Sequence, residues 1–495
     1  MGQLENNQQS LQVWSRRGFL TAATALASAS TSRILAQPMS TAEAPTYPGR
    51  YVAKDDADYE RWRVAMPWQL YKAPRYPDVI VRPNHASEVA EVVRASYREG
   101  RRLAIKSGGH NVSEVFLRDG GLLLDLGELQ DLQVSADQNS AWVEPALWSH
   151  GLLGGLAAHG KAFPVSHCAT VPMGGFLLGG GIGYNHDNWG VIGCNNIIAA
   201  EVVTPSGEQL TVSADEHPDL LWAVKGGGMG FPGIATRLQL ALYPAPGSVM
   251  ESALIFPVGE LKTALELLSD WAARKPKDTE LMMLIAHNPT ATDQTPADAR
   301  KLVIVRAVTY ADSEAQSRQT LSELTNHPLA DRAIMTAPPK STSLEQMSVE
   351  SINPALGLGF GRYAVDTVWT DQLEAMAEPL KQQILEAPSP KTHFVVSPKV
   401  NRILSDGAAF SVVGDTFIGA YTVWDEAASD AANFSWLEKT AHHLRGLSCG
   451  QYINEVDAFQ DPSAPSRCFS PEAWGKLARI RQRYDPKGVL YGWPA

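Results

Sequence analysis

The chain has 495 residues, 44% of them hydrophobic, with 53 acidic against 42 basic side chains and a formal net charge of −11. At about 150 residues per domain, that is enough for two or three domains with cores of their own. The acidic balance argues against a nucleic-acid partner, because phosphate binding requires a basic field. Four cysteines are too few for a disulfide scaffold, and beyond the N-terminus no apolar run is long enough to cross a bilayer. Glycine is unevenly spread: eight of the 40 fall in residues 174–193 and five more in residues 226–233.

In chain order, residues 1–40 come first. Ser15-Arg16-Arg17-Gly18-Phe19-Leu20 leads into a mild apolar run, Thr21 to Ser30, with small residues at Ala27-Ser28-Ala29 and at Ala36. The twin arginine before Phe-Leu resembles a Tat export signal, which implies an exported, already folded protein, periplasmic or secreted. Residues 41–75, rich in Pro, Tyr and charge, read as a linker and approach loop. Ser87 to Glu99 carries a helical stripe closed by Gly100. Arg102 to Lys106 and Leu122 to Leu126 are short strands bounded by glycine. Ala199 to Thr204 and Gln209 to Val212 form a hairpin across Pro205-Ser206-Gly207, and Leu238, Leu240 and Leu242 mark a half-buried strand.

After Pro246 the pattern alternates strand and helix: 254–258, 261–273, 302–309, 314–324, then a helix over 373–386 and a strand over 393–398. This reads as a separate α/β layer with an antiparallel or mixed sheet. Ser470 is placed to cap a last helix, with Pro471 at its first position and Trp474, Leu477 and Ile480 as its buried stripe.

Two catalytic patterns fail on context. Gly228-Met-Gly-Phe-Pro-Gly233 fits GxGxxG, but Pro232 and an alternating strand follow where a Rossmann fingerprint opens a helix. Gly446-Leu-Ser-Cys-Gly450 fits the nucleophile elbow, yet a helical segment precedes it and the last histidine, His443, lies upstream. The twelve histidines show no metal-ligand spacing with carboxylates.

The segments that carry chemistry are glycine-rich. Ile105-Lys106-Ser107-Gly108-Gly109-His110-Asn111 runs a strand into two glycines, where backbone N–H groups approach an anion closely. His167-Cys168-Ala169-Thr170-Val171-Pro172-Met173-Gly174-Gly175 leads to Gly179-Gly180-Gly181-Ile182-Gly183, and Trp189 to Gly193 and Asn195 continue it. Leu220 to Gly228 adds a second loop, and Tyr452-Ile453-Asn454-Glu455-Val456-Asp457 lies near the end.

In this order the segments resemble the FAD-linked oxidases of the berberine-bridge-enzyme-like group, in the vanillyl-alcohol-oxidase superfamily. The match covers roughly residues 76–245 and 450–492. The resemblance implies an α+β protein: a two-part PCMH-type FAD-binding domain (76–246 and 450–495) and an α/β substrate domain (247–449) with a mixed or antiparallel sheet. It implies an FAD tethered twice, through His110 to the 8α-methyl and through Cys168 to carbon 6. Further cofactor contacts are implied at Lys106, Ser107, Gly108, Gly109, Asn111, Val171, Gly174, Gly175, Gly179, Gly180, Gly181, Gly183, Asn195, Ile234 and Asn454. Tyr452 to Asp457 resembles the strand that passes the flavin face, with Glu455 where many plant members carry a tyrosine base.

Glu455 thus stands as a proton acceptor for an alcohol or phenol, or alternatively as a salt-bridge partner of Arg467. Tyr452 and Tyr421 are further catalytic candidates, and Tyr363, His393 and Asp415 lie in strands of the substrate sheet. Val171 occupies the position resembling the oxygen gate, where valine goes with oxidase behaviour. The expected reaction is hydride transfer from a hydroxylated small molecule to flavin, with O2 reduced to H2O2. The alternative is a dehydrogenase passing electrons to a quinone or protein. Cys449 and Cys468 could pair after export, or stay as thiols.

Overall fold

The computed structural model describes residues 47–494, apart from 297–298, 351–360 and 399–405. The export segment and the start of the linker lie outside the described residues. Four-residue runs of Leu, Val and Ile build the first sheet. Val79–Arg82 (β2), Leu103–Lys106 (β3) and Leu122–Asp125 (β4) run parallel in the order β2-β4-β3, and Arg50–Ala53 (β1) lies antiparallel at the edge beside β2. Such parallel pairs need a crossover. The helix Ala86–Glu99 supplies it, burying Val89, Val92 and Val93 and ending at Gly100 in the left-handed conformation, as its stripe implies.

The second sheet is antiparallel, in the order β5-β6-β10-β8-β9: Leu132–Val134 (β5), Ser140–Val143 (β6), Ile197–Val203 (β8), Gln209–Ser213 (β9) and Ile234–Ala241 (β10). The β8–β9 pair is the hairpin expected across residues 204–208. Lys161–Ala162 (β7) and Tyr243–Pro244 (β11) make a small ribbon.

The third sheet has seven strands: Ser248–Pro257 (β12), Thr279–His287 (β13), Lys301–Ala311 (β14), Met335–Thr342 (β15), Arg362–Thr370 (β16), His393–Pro398 (β17) and Thr416–Trp424 (β18). Their order is β15-β12-β14-β13-β17-β18-β16, and every pairing is antiparallel. The strand–helix alternation in sequence misses β13 and β15. The long apolar run of β13 has no turn residue inside it, and β15 is an exposed edge strand carrying Pro338 and Pro339. One face packs Leu281, Met283, Val303, Val305, Phe394 and Ile418 against helices Leu261–Ala272, Ala377–Leu385 and Asp430–Arg445. By the two-residue period of a strand, Glu280, Arg306, Tyr310, Tyr363, His393 and Tyr421 fall on the other face.

The C-terminal segment returns to the first sheet through a Leu103↔Leu490 bridge, and it touches β16 through Trp369↔Gly450. Residues 453–455 form a 3-10 turn and not the expected strand, since side chains hold this segment and not a ladder. Ser470 does cap the last helix, Pro471–Tyr484, accepting the Ala473 N–H; its buried stripe is Ala473, Leu477 and Ile480, with Trp474 half-buried. Cys449 and Cys468 do not pair: the first thiol donates to the Trp369 carbonyl and the second to the Ala464 carbonyl, each at 3.4 Å.

At the end of β4, Asp125 is fully buried and accepts from Lys106 Nζ at 2.9 Å and Arg82 Nε at 2.7 Å. Burial alone would raise its pKa, but the two cations hold the carboxyl below its ordinary value. Asp125→Ala strands the Lys106 ammonium in the core. It is expected to cost about 3–5 kcal/mol, read as a lower urea midpoint.

Candidate active site

The site grows from three close approaches of backbone. After β3 the chain turns through Gly109, whose φ is +80°; a Cβ there would sit 2.0 Å from the Met66 carbonyl oxygen. The close approach lets Trp68 N–H bond the Gly109 carbonyl at 3.0 Å and lays the Trp68 indole on the His110 ring, 4.7 Å away at 26°. His110 Nε2 is 3.0 Å from Thr170 Oγ1, and the same hydroxyl lies 3.6 Å from Cys168 Sγ. His110 and Cys168, distant in sequence, thus meet at one hydroxyl. Burial, aided by the Lys106 charge, pushes the His110 pKa down to about 3. Its imidazole is neutral at working pH, the form in which a ring nitrogen is a nucleophile.

The glycine loop comes next. A Cβ at Gly179 would overlap the Asn454 side chain at 1.8 Å, so the loop lies directly against the C-terminal return. Gly108, Gly174, Gly180, Gly181 and Gly183 are similarly hemmed by Pro172, Pro145, Phe410, Phe176 and Pro164. Most of these glycines serve the contact of protein with protein. Gly175 differs: the nearest atom to its Cβ direction is Ser107 Oγ at 3.8 Å, and its N–H donates to that hydroxyl at 3.3 Å.

Tyr452 anchors the loop from the other side. Its buried hydroxyl accepts from Gly181 N–H (3.1 Å), Ile182 N–H (3.3 Å) and Asn454 Nδ2 (3.0 Å). Burial, with the Glu455 charge beside it, raises its pKa beyond the ordinary tyrosine range. Three N–H donors thus tie the Tyr452 hydroxyl to the glycine loop and to Asn454.

Glu455 sits differently. Its half-buried carboxylate accepts from Tyr421 OH at 2.8 Å, and the Tyr421 ring stacks on His393 at 5.2 Å and 8°. Burial raises the Glu455 pKa to about 7, against the opposing pull of the Tyr421 hydrogen bond and the His167 charge. Arg467 is engaged with Gln451 and Asp461, so the salt bridge to Glu455 is not formed. His393 is buried and pushed toward its neutral form by that burial. Tyr363 lies 5.1 Å from the Trp68 ring, whereas Asp415 is exposed and accounts for no part of this cluster.

Other residues singled out in the sequence hold the frame. Lys106 is spent on Asp125. Asn111 accepts from Ser113 OH and Val115 N–H and donates to the Asn454 carbonyl at 3.3 Å. Asn454 donates to the Phe176 carbonyl, and Asn195 to the Gly190 carbonyl. Ile234 is buried and opens β10 against Val203. Val171 packs half-buried at the core edge, its carbonyl accepting from Ser149 N–H.

Sequence reasoning missed Trp68, Thr170 and the His167–Glu280 pair. Thr170 alone had a signal, its place between Cys168 and the glycine loop. The other contacts join residues too far apart for spacing to show.

Residues 77–213 match the family described as FAD binding domain. FAD-linked oxidoreductase janO of Penicillium janthinellum is 26% identical over 446 residues, spanning 88% of this chain and 95% of that protein. The fold is that of 6-hydroxy-D-nicotine oxidase from Arthrobacter nicotinovorans, with a TM-score of 0.77 at 20% identity over 91% of this chain and 98% of that one. It is also that of Physcomitrella patens BBE-like 1, with a TM-score of 0.76 at 17% identity over 90% and 96% of the two chains. A doubly wound dinucleotide sheet is therefore excluded by structure as well as by Pro232.

The raised pKa of Glu455 has a measurable sign. The folded protein binds this proton more tightly than the unfolded chain, so the stability it contributes is present below about pH 4.5 and lost as pH rises through about 7. Glu455→Gln is expected to be more stable than the parent at pH 8 by about 1–3 kcal/mol, with a smaller difference at pH 5. Urea unfolding at both pH values checks this, and an advantage that does not grow with pH contradicts it.

Proposed function

We propose that this chain, an FAD-dependent oxidoreductase of the PCMH-type, berberine-bridge-like group, is an exported oxidase with a doubly tethered flavin. Its substrate is an alcohol or similar hydroxylated small molecule, and it reduces O2 to H2O2. The observation that carries the tethering is the meeting of His110 and Cys168 at the Thr170 hydroxyl. Bound there, FAD supplies a two-electron acceptor for a hydride.

The rest is the work of the chain. The neutral His110 ring is in the form that bonds carbon, and Trp68 fixes its plane. Gly175 is exposed, with only the Ser107 hydroxyl near its Cβ direction, which leaves room for a ligand beside it. Glu455 takes the substrate hydroxyl proton: among the described residues Tyr421 is the one hydrogen-bond donor to its carboxylate, and it occupies Oε2. With a pKa near 7 that carboxylate is a base matched to neutral pH. Tyr363 beside Trp68 and the Tyr421–His393 stack beside Glu455 are aromatic surfaces suited to a flat or cyclic substrate. Val171 in the gate position supports O2 as the acceptor.

Acid precipitation is expected to leave the yellow colour in the pellet for the parent, for His110→Ala and for Cys168→Ala, and to release it only when both are replaced. Release from the parent removes the tethering reading. Reoxidation no faster in air than under nitrogen would replace the oxidase by the dehydrogenase. For export, replacing Arg16 and Arg17 by lysine is expected to retain the protein inside the cell, checked by fractionation; unchanged secretion excludes the Tat route.

A further inference from the structure

Arg75 carries a charge that the reaction described above does not use. Its Nη2 donates to the Ser113 carbonyl at 2.7 Å and the Glu114 carbonyl at 3.0 Å, and its guanidinium lies 3.7 Å over the Phe459 ring. Nε is buried without a hydrogen-bond partner, and Nη1 makes no hydrogen bond among the described residues. Arg118 approaches the same ring at 4.9 Å and is likewise held by carbonyls, those of Val115 and Gly492. Neither guanidinium forms an ion pair among the described residues, although buried charges are ordinarily paired. Arg75 lines a recess of about 80 Å³ together with Tyr71, Ser113, Tyr363, Asp457 and Phe459. One water needs roughly 10–15 Å³, so the space admits a carboxylate with several carbons behind it. The recess adjoins the candidate site. Tyr363 on its wall is 5.1 Å from Trp68, which stacks on His110. Val365, on the same wall, pairs in register with Tyr421, and Asp457 lies two residues, at most about 7 Å of chain, from Glu455.

We propose that this recess is a carboxylate-binding site, with Arg75 as the charge that receives the carboxylate, and that the hydroxylated substrate carries one. The claim about the substrate rests on the alcohol reading of the function; the claim about the site does not. A guanidinium fixed by two carbonyls and a ring presents Nη1 without further ordering, and a hydrogen bond between charged partners is among the stronger ones. Two acids stand near it. Glu114, next in chain after Ser113, is fully buried; its Oε2 accepts from Ala73 N–H at 2.9 Å, and burial raises its pKa to about 7. Asp457 Oδ1 accepts from Phe459 N–H at 2.9 Å and Gln460 N–H at 3.2 Å, and burial raises its pKa as well. Burial lowers the Arg75 pKa, but from a value so high that the group stays charged. Arg362, over the Tyr71 ring at 5.2 Å, is paired with Asp430 through two bonds of 2.6 Å. The balance of the recess therefore favours an anion, and the Tyr71 and Tyr363 rings suit the apolar body behind it.

Isothermal titration of the holoenzyme compares benzoate with benzyl alcohol and benzylamine, which share the ring and differ in charge. Benzoate is expected to bind about tenfold more tightly than either, the order of a hydrogen bond to a charged group. Arg75→Met is expected to erase that preference. Asp457→Asn, whose amide oxygen can still accept the two N–H groups, is expected to tighten benzoate, and it keeps the proposal open to refutation if Arg75→Met does not fold. A parent that prefers benzylamine or shows no preference overturns the site, as does an Arg75→Met protein that keeps the preference for benzoate. So does a benzoate affinity that is unchanged or weakened in Asp457→Asn. For the substrate, para-hydroxymethylbenzoate is expected to exceed benzyl alcohol in kcat/KM by about the same factor, through KM, and to lose the advantage in Arg75→Met. Equal kcat/KM for the two alcohols overturns the substrate claim alone. Turnover of neither overturns the alcohol reading and the substrate claim with it, while the benzoate titration still decides the site.

Discussion

The close contact of the loop around Gly179 with the C-terminal return is the constraint on which the site depends. At Gly179 there is no room for a single methyl carbon, because Asn454 already fills the space. The neighbouring amides of Gly181 and Ile182 are directed at Tyr452, so loop and return are fixed to each other by bonds on both sides of the contact. Much of the candidate site follows from this. His167 and Thr170 precede the loop, Glu455 ends the turn that carries Tyr452, and Asn111 reaches the return beside His110. The glycines are best understood as allowing protein to pack on protein, with Gly175 left open beside Ser107.

The second determinant is the two-residue period of the seven-stranded sheet. Its helix-covered face is an ordinary apolar core. The opposite face carries Glu280, Tyr310, Tyr363, His393 and Tyr421, which touch the rest of the protein in several places: Glu280 at His167, Tyr310 beside Trp189 at 5.9 Å, Tyr363 at Trp68 and Tyr421 at Glu455. Buried polar groups are costly unless satisfied. Here most of them pair across the boundary, so the polar face is also the adhesive between the halves.

Much of this was legible in the chain. The strands at 103–106 and 122–125, the helix closed at Gly100, the hairpin across residues 204–208 and the cap at Ser470 follow from periodicity and from the conformations that Gly and Ser favour. His110, Cys168 and Glu455 were singled out by the motifs that carry the family resemblance. Tyr452 was placed among the catalytic candidates with Glu455, and the three N–H groups around its hydroxyl were not legible in sequence. Glu280 was invisible for another reason. In sequence it is one acid among apolar residues of a strand, and its meaning comes from His167, which 113 positions of chain separate from it. The 3-10 turn at 453–455 was misread as a strand because its conformation is imposed by partners elsewhere.

The order in which the halves are made gives the loop a further meaning. Tyr452 reaches Gly181 across 271 positions of sequence, and Leu490 bridges back to Leu103. Long-range closure of this kind is slow and late in folding. A nascent chain still lacking its return can form the parallel sheet and the hairpin. The glycine loop then lacks the Tyr452 hydroxyl that anchors the Gly181 and Ile182 amides. The loop is accordingly completed only after residues 452–454 have been made.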